Sequence, residues 1–292
     1  MLGNDGFARV VTNVFQLSCG RAGGAQVVDT AQLRVFYLDF LEEIYPGLPI
    51  NRKRDPFIED PLCEARLAVA FTTPGMGEPG REFALLGGAY PVDAHASKCA
   101  FAREALEALL ARDDELRAIF ELVIHSVMIR QATAANGRVT YSSSSATAVG
   151  VIWLSLVDGL SQQDVQELFV HELTHQLLFI DDFVHAQFQY GRMAESENYA
   201  ITAVSLSRRP LDIVIHSIVV AAEVLVARAK LLGEPVQPAV HPPSSTMVPT
   251  IAASYASVRA LPNHDALVTP HIGALLRRSM AQVAALSQSG VP

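Results

Sequence analysis

The run His171-Glu172-Leu173-Thr174-His175 places two imidazoles four residues apart. On a helix of 3.6 residues per turn both rings leave one face, where they can share a cation. Glu172 follows the first ring, so its carboxylate can reach a metal-bound water and act as a general base. The alternative is a pair of half-buried histidines with Glu172 in solvent. Two imidazoles do not complete a catalytic centre, so a third ligand decides the chemistry. One candidate is Glu195, nineteen residues beyond His175, with Glu197 as its close substitute. Their other reading is a solvated face. The second candidate is His216, among Ile213, Ile215, Val219 and Val220. A histidine in such surroundings is either a ligand pointing inward or a satisfied core residue. Glu223, seven residues on, shares its helix face and would support a ligand or stand as an exposed charge.

The motif needs a helix and a rigid neighbour. Ser161 with Asp164 three residues later forms an approximate capping box, which starts a helix expected to reach about Ile180. The compact apolar run Val149–Val157, with Trp153, reads as a buried strand just before it. Pro210 suits the first turn of another helix, and Gly233 its end. Upstream, apolar spacing over 26–44 predicts a helix that Pro46-Gly47 ends. Residues 66–72 and 83–89 read as short strands around the turn-rich run 74–80. A long amphipathic helix is expected from Ser97 to about Ser126, with a break possible near Asp113-Asp114. Asn136-Gly137 marks a turn, Ser142–Ser145 a solvated loop, and the prolines of 234–249 a linker or surface loop. A last helix covers roughly 270–287. The fold class is therefore α+β and helix-rich, with a small sheet beside the metal-motif helix. Residues 1–140 form an N-terminal α/β portion packed with the rest, and 141–292 a mostly helical metal-site portion.

Half the 292 residues are hydrophobic and only 18% are charged, which excludes a globally disordered chain. The net charge of −8 and the absence of a dense basic block argue against a nucleic-acid partner. Arg52-Lys53-Arg54 reads as loop decoration. Three scattered cysteines, Cys19, Cys63 and Cys99, support neither a disulfide framework nor a thiolate zinc site. No basic n-region precedes an apolar stretch, and Gln16 stands where a lipoprotein site wants an aliphatic residue. With no uninterrupted apolar run of membrane-spanning length, the expected compartment is the cytoplasm, with no membrane partner. Asp181, Asp182 and His185 either line the site or form a solvated helix end, and His125, at a helix C-terminus that favours a cation, reads as structural. Gly87-Gly88 lacks dinucleotide-binding spacing, and no Gly-x-Ser-x-Gly elbow supports a serine hydrolase.

Two family resemblances attach to these residues. The spacing from His175 to Glu195 resembles the glutamate-zincin metallopeptidases, whose third ligand comes from a second helix. That likeness implies zinc, with Glu172 as base and Glu195 as third ligand. The stretch from Val149 to about Arg228 resembles the HExxH-type peptide β-hydroxylases. It combines the apolar strand, the His171–His175 run, Arg209-Pro210-Leu211 and then His216. A glycine often follows that last histidine in the family; here it is Ser217. This second resemblance implies an oxidoreductase that uses iron(II) and 2-oxoglutarate on a peptide or precursor-peptide side chain. It also implies ligation by His171, His175 and His216, with Arg209 or Arg208 holding the oxoacid carboxylate. A third possibility is a non-catalytic peptide-binding protein that keeps the site.

Overall fold

The computed structural model describes residues 6–18, 20, 27, 29–72, 87–132 and 140–288. They form a helix-rich α+β fold with little sheet. The chain divides into two compact units, the first ending at Val184 and the second running on from His185.

In the first unit, α1 (Gly6–Ser18) packs against α2 (Thr30–Ile44), and both touch α5 (Asp114–Val123). Asp29 caps α2 by accepting from Gln32 N at 2.8 Å, and Gly47, at φ +90°, turns the chain after it. Residues 66–72 are helical rather than a strand; they close α3 (Pro61–Thr72). Large and small apolar residues alternate here in the sequence, yet Leu67 is buried and Val69 exposed, whereas a strand would turn both to one face. The start signal overrides that alternation: Asp60 accepts from Leu62 N at 2.9 Å and Pro61 holds the first helical φ. Of the second expected strand, 83–86 lie outside the described residues and 87–89 carry no strand. Gly87 and Gly88 still exchange backbone hydrogen bonds with Gln131, at 2.8 and 3.2 Å. The turns at 74–80 and Asn136-Gly137 also lie outside the described residues.

The expected long helix from Ser97 is two helices, α4 (Val92–Leu110) and α5. Asp113 makes the break by capping α5 through Leu116 N at 2.8 Å. The sheet has the order β1-β3-β2. β1 (Ser126–Ile129) runs parallel to β3 (Val151–Leu154), in register from Ser126↔Val151 to Ile129↔Leu154. Every residue of both strands is buried, as parallel strands covered on two faces require. β2 (Ser142–Ser143) pairs antiparallel with the other edge of β3, so the expected serine loop begins as sheet. Trp153 is fully buried among Ile58, Leu67, Met128 and Val151, and its indole donates to Arg130 O at 3.2 Å. α6 (Gln162–His185) follows β3. Its capping box is formed: Asp164 accepts from Ser161 N at 2.9 Å, and Ser161 Oγ accepts from Asp164 N at 3.0 Å. The helix runs five residues past the expected end at Ile180.

In the second unit, the short helix α7 (Tyr190–Met193) leads to a two-stranded ribbon of β4 (Ala200–Ile201) and β5 (Arg208–Arg209). Pro210 caps α8 (Leu211–Ala227), which packs against α9 (Ser244–Arg259) and α11 (Pro270–Gln288). A π-turn over Arg228–Leu232 closes α8, with Gly233 N donating to Arg228 O at 2.8 Å before Gly233 leaves at φ +80°. The proline-rich stretch is shorter than expected, because α9 starts at Ser244 and includes Pro249. Arg228 is buried and donates to Pro242 O at 2.8 Å, His241 O at 3.3 Å and Ser244 Oγ at 3.2 Å, so this stretch is tied down. The short helix α10 (His264–Leu267) separates α9 from α11. Among the described residues no helix is long and apolar enough to cross a membrane.

Candidate metal centre

The orientation of α6 is fixed from the sheet. Gln176, fully buried one residue after His175, reaches the start of β3 with both ends of its amide. Its Oε1 accepts from Gly150 N and its Nε2 donates to Val151 O, each at 2.7 Å. A two-pronged bond to neighbouring peptide groups sets both the height and the rotation of the helix. The histidines on the adjacent face inherit that placement.

His171 and His175 lie side by side, with ring centroids 5.0 Å apart and planes inclined at 54°. Both are half-buried, and Phe179 packs one turn beyond His175 at 6.4 Å. Two imidazoles at this separation suit two positions on one borderline cation. Glu172 is 1% exposed, so it is not a solvent-facing charge. Its Oε1 lies 3.9 Å from His171 Nε2. Its Oε2 accepts a 2.5 Å hydrogen bond from Ser144 Oγ. Burial pushes the Glu172 carboxyl up to about 7, while hydrogen bonds from Ser142 and Ser144 pull the other way. The serines of β2 and its following loop therefore hold a carboxyl beside the histidine pair.

His125 is a buried structural residue, as expected, but it is not a cation. Complete burial, reinforced by Arg34, lowers its pKa to about 3, so the ring is neutral. Its Nδ1 lies 2.8 Å from Ser126 Oγ. Gly150 packs against this ring at φ +88°; a Cβ there would sit 2.5 Å from His125 Cδ2 and 3.1 Å from Val123 O. Asp181 is buried and accepts from Asn13 Nδ2 at 2.9 Å, which departs from a solvated end, whereas His185 is exposed as that reading expects. Cys63 and Cys99 are free thiols, and burial raises Cys99 to about 11.

The remaining candidates belong to the second unit. His216 is buried on α8, with its ring 5.2 Å from that of Phe188. Asp212 and Glu223 are also buried, one turn before and two turns after His216. Glu195 and Glu197 are exposed, Glu195 capping and Glu197 within the single 3-10 turn Ser196–Asn198, and Glu195 accepts from Asn198 Nδ2 at 3.4 Å. Arg208 donates to Tyr199 O at 2.9 Å. Arg209 is half-buried on β5, and among the described residues no carboxylate pairs with it. Ser217 uses its hydroxyl locally, donating to Val214 O at 2.8 Å and accepting from Ala203 N at 3.0 Å. His185 stacks on His271 with centroids 4.1 Å apart, a pairing that sequence spacing does not signal.

The structure thus assembles His171, Glu172 and His175 in the first unit. It carries His216, Arg208, Arg209 and Glu195 in the second. Sequence reasoning missed Gln176, Ser142 and Ser144 as supporting residues. No protein-family model matches the chain, and no curated protein matches it.

Proposed function

We propose that the chain is a metal-dependent enzyme that hydroxylates a β-carbon of a peptide or precursor-peptide side chain, with iron(II) and 2-oxoglutarate as cofactors. The observation that carries the metal reading is the His171–His175 pair, held by the Gln176 fork with the Glu172 carboxyl 3.9 Å from His171 Nε2. Imidazole and carboxylate donors suit iron(II), and partly buried rings limit access of water to the cation. Iron(II) with 2-oxoglutarate would supply oxygen activation: one atom of O₂ ends in the new hydroxyl and the other in succinate, with CO₂ released. In this reading His216, buried on α8, is the third ligand. Arg209 binds the oxoacid carboxylate, a role favoured by its lack of a carboxylate partner among the described residues. The compartment is the cytoplasm, which the free thiols of Cys63 and Cys99 support.

The test is anaerobic purification with iron(II), followed by an oxygen-dependent assay for succinate with candidate peptides. Succinate formation that needs peptide and is lost in His171→Ala and His216→Ala is the expected result. Stoichiometric zinc in the native protein, with peptide cleavage and no succinate, overturns it. That outcome is the second reading, a zinc metallopeptidase, favoured by one observation: a buried Glu172 carboxyl whose Oε1 lies 3.9 Å from His171 Nε2. The readings separate at Glu172→Gln, which abolishes hydrolysis but leaves a hydroxylase much of its turnover. Under the peptidase reading Glu195, not His216, completes the ligand set.

A further inference from the structure

We propose that the second unit holds a separate binding site for a small oxyanion, a phosphate or carboxylate group, in the cavity formed by α9, α10 and α11. The cavity measures about 260 Å³ and is lined by Tyr255, Arg259, His264, Thr269, Gly273 and Arg277, among others. That volume admits a phosphate or a short dicarboxylate and is too small for a folded peptide.

The charges of the lining do not balance. Among the described residues no carboxylate lies within ion-pair distance of Arg259 or Arg277, although the chain as a whole is acidic at −8. Asp265 also borders the cavity, but its side chain is fully exposed and its Oδ1 meets His264 Nδ1 at 2.8 Å. It therefore answers the imidazole, not the guanidinium groups. Arg277 folds back along its own helix: a Cβ on Gly273 would lie 3.2 Å from Arg277 Nη1. Glycine at that position leaves the room in which the guanidinium rests. The direction is electrostatically adverse, because it carries a cation toward the positive N-terminal end of α11. Arg259 and Arg277 are both solvent-exposed where they line the cavity, and with the start of α11 they give it a positive lining that an anion would complete. Each guanidinium can then donate charge-assisted hydrogen bonds to it. Tyr255 and Thr269 add hydroxyls to the same lining, although Thr269 Oγ1 already accepts from Ile272 N at 3.3 Å.

The experiment is titration of the full chain by isothermal calorimetry and NMR, using inorganic phosphate and malonate separately at constant ionic strength. We expect saturable one-site binding of one of them, and the tighter arm identifies the headgroup. Arg259→Gln and Arg277→Gln should each weaken it about tenfold or more, the loss of a charged hydrogen-bond pair. Gly273→Ala should weaken it severalfold by displacing the guanidinium, with an unchanged circular-dichroism spectrum. No saturable binding of either anion at tens of millimolar overturns the proposal, as does binding that both arginine variants leave intact. The site stands independently of the metal reading, since none of these substitutions touches His171, His175 or His216.

Discussion

Gln176→Met is the sharpest test of how the metal-motif helix is held. Methionine keeps the length and much of the volume of the side chain, so the packing around α6 is preserved. It removes both prongs at once and leaves Gly150 N–H and Val151 C=O, each bound at 2.7 Å in the parent, without partners in a buried place. An orphaned buried polar group costs about 1–3 kcal/mol, so the pair costs about 4 kcal/mol. At about 2–4 °C per kcal/mol for a chain of this size, the melting temperature falls by about 8–16 °C. The assay is thermal unfolding followed by circular dichroism. It is paired with a zinc or iron(II) competition titration at low temperature, where the variant is still folded. Loss of a positioning contact behind metal ligands typically costs about tenfold or more in affinity, and that is the expected second result. A melting temperature within about 2 °C of the parent refutes the clamp. A large thermal loss with unchanged metal affinity refutes its positioning role and leaves only a stabilising one.

Gly150→Ala should destabilise by about 2–5 kcal/mol, since the left-handed φ of +88° adds strain to a Cβ contact of 2.5 Å with a fully buried ring; denaturant melts check it. His125 gives a pH signature. The unfolded chain takes up a proton near the ordinary histidine value, whereas the folded ring resists until about pH 3, so stability falls as pH drops. Between pH 7 and 5 that loss is about 2 kcal/mol. The parent should therefore lose about 2 kcal/mol more than His125→Gln over this interval, and equal slopes would count against a neutral buried ring. Glu172, raised to about 7, acts with the opposite sign, which is why the variant comparison and not the raw profile is informative. His216→Ala should lower metal affinity by about tenfold or more while Glu195→Gln leaves it unchanged; the reverse pattern favours the peptidase. Glu64→Leu should cost about 3 kcal/mol by denaturant unfolding, because it strips Arg130 of a carboxylate at 3.0 Å in a largely buried pair.

What the sequence made legible is local. Ser161 and Asp164 stand three residues apart, and the run His171–His175 spans one helical turn, so propensity and periodicity read them directly. The same logic found the buried strand at Trp153 and the stop at Gly233. It misjudged 66–72, where Leu67 and Val69 imitate strand alternation and the decisive signal, Asp60-Pro61, lies outside the window. A helix end favours a cation at His125, but desolvation of a fully buried ring outweighs that modest gain. The supports of the site were invisible for another reason. Gln176 bonds residues some 25 positions away, and Ser144 reaches Glu172 across 28. Such pairings depend on which elements fold together, and no spacing rule encodes them.

The stretch from Glu234 to Pro243 has the composition of a disposable tether, yet it cannot be edited as one. Its carbonyls at His241 and Pro242 are solvent of last resort for the submerged Arg228 guanidinium, and Glu234 lies 3.8 Å from the same group. Lengthening or clipping this stretch strands a positive charge inside the protein at the foot of the helix that bears His216. A nick in such a loop acts like a lesion in the core, and a fusion partner is better attached elsewhere.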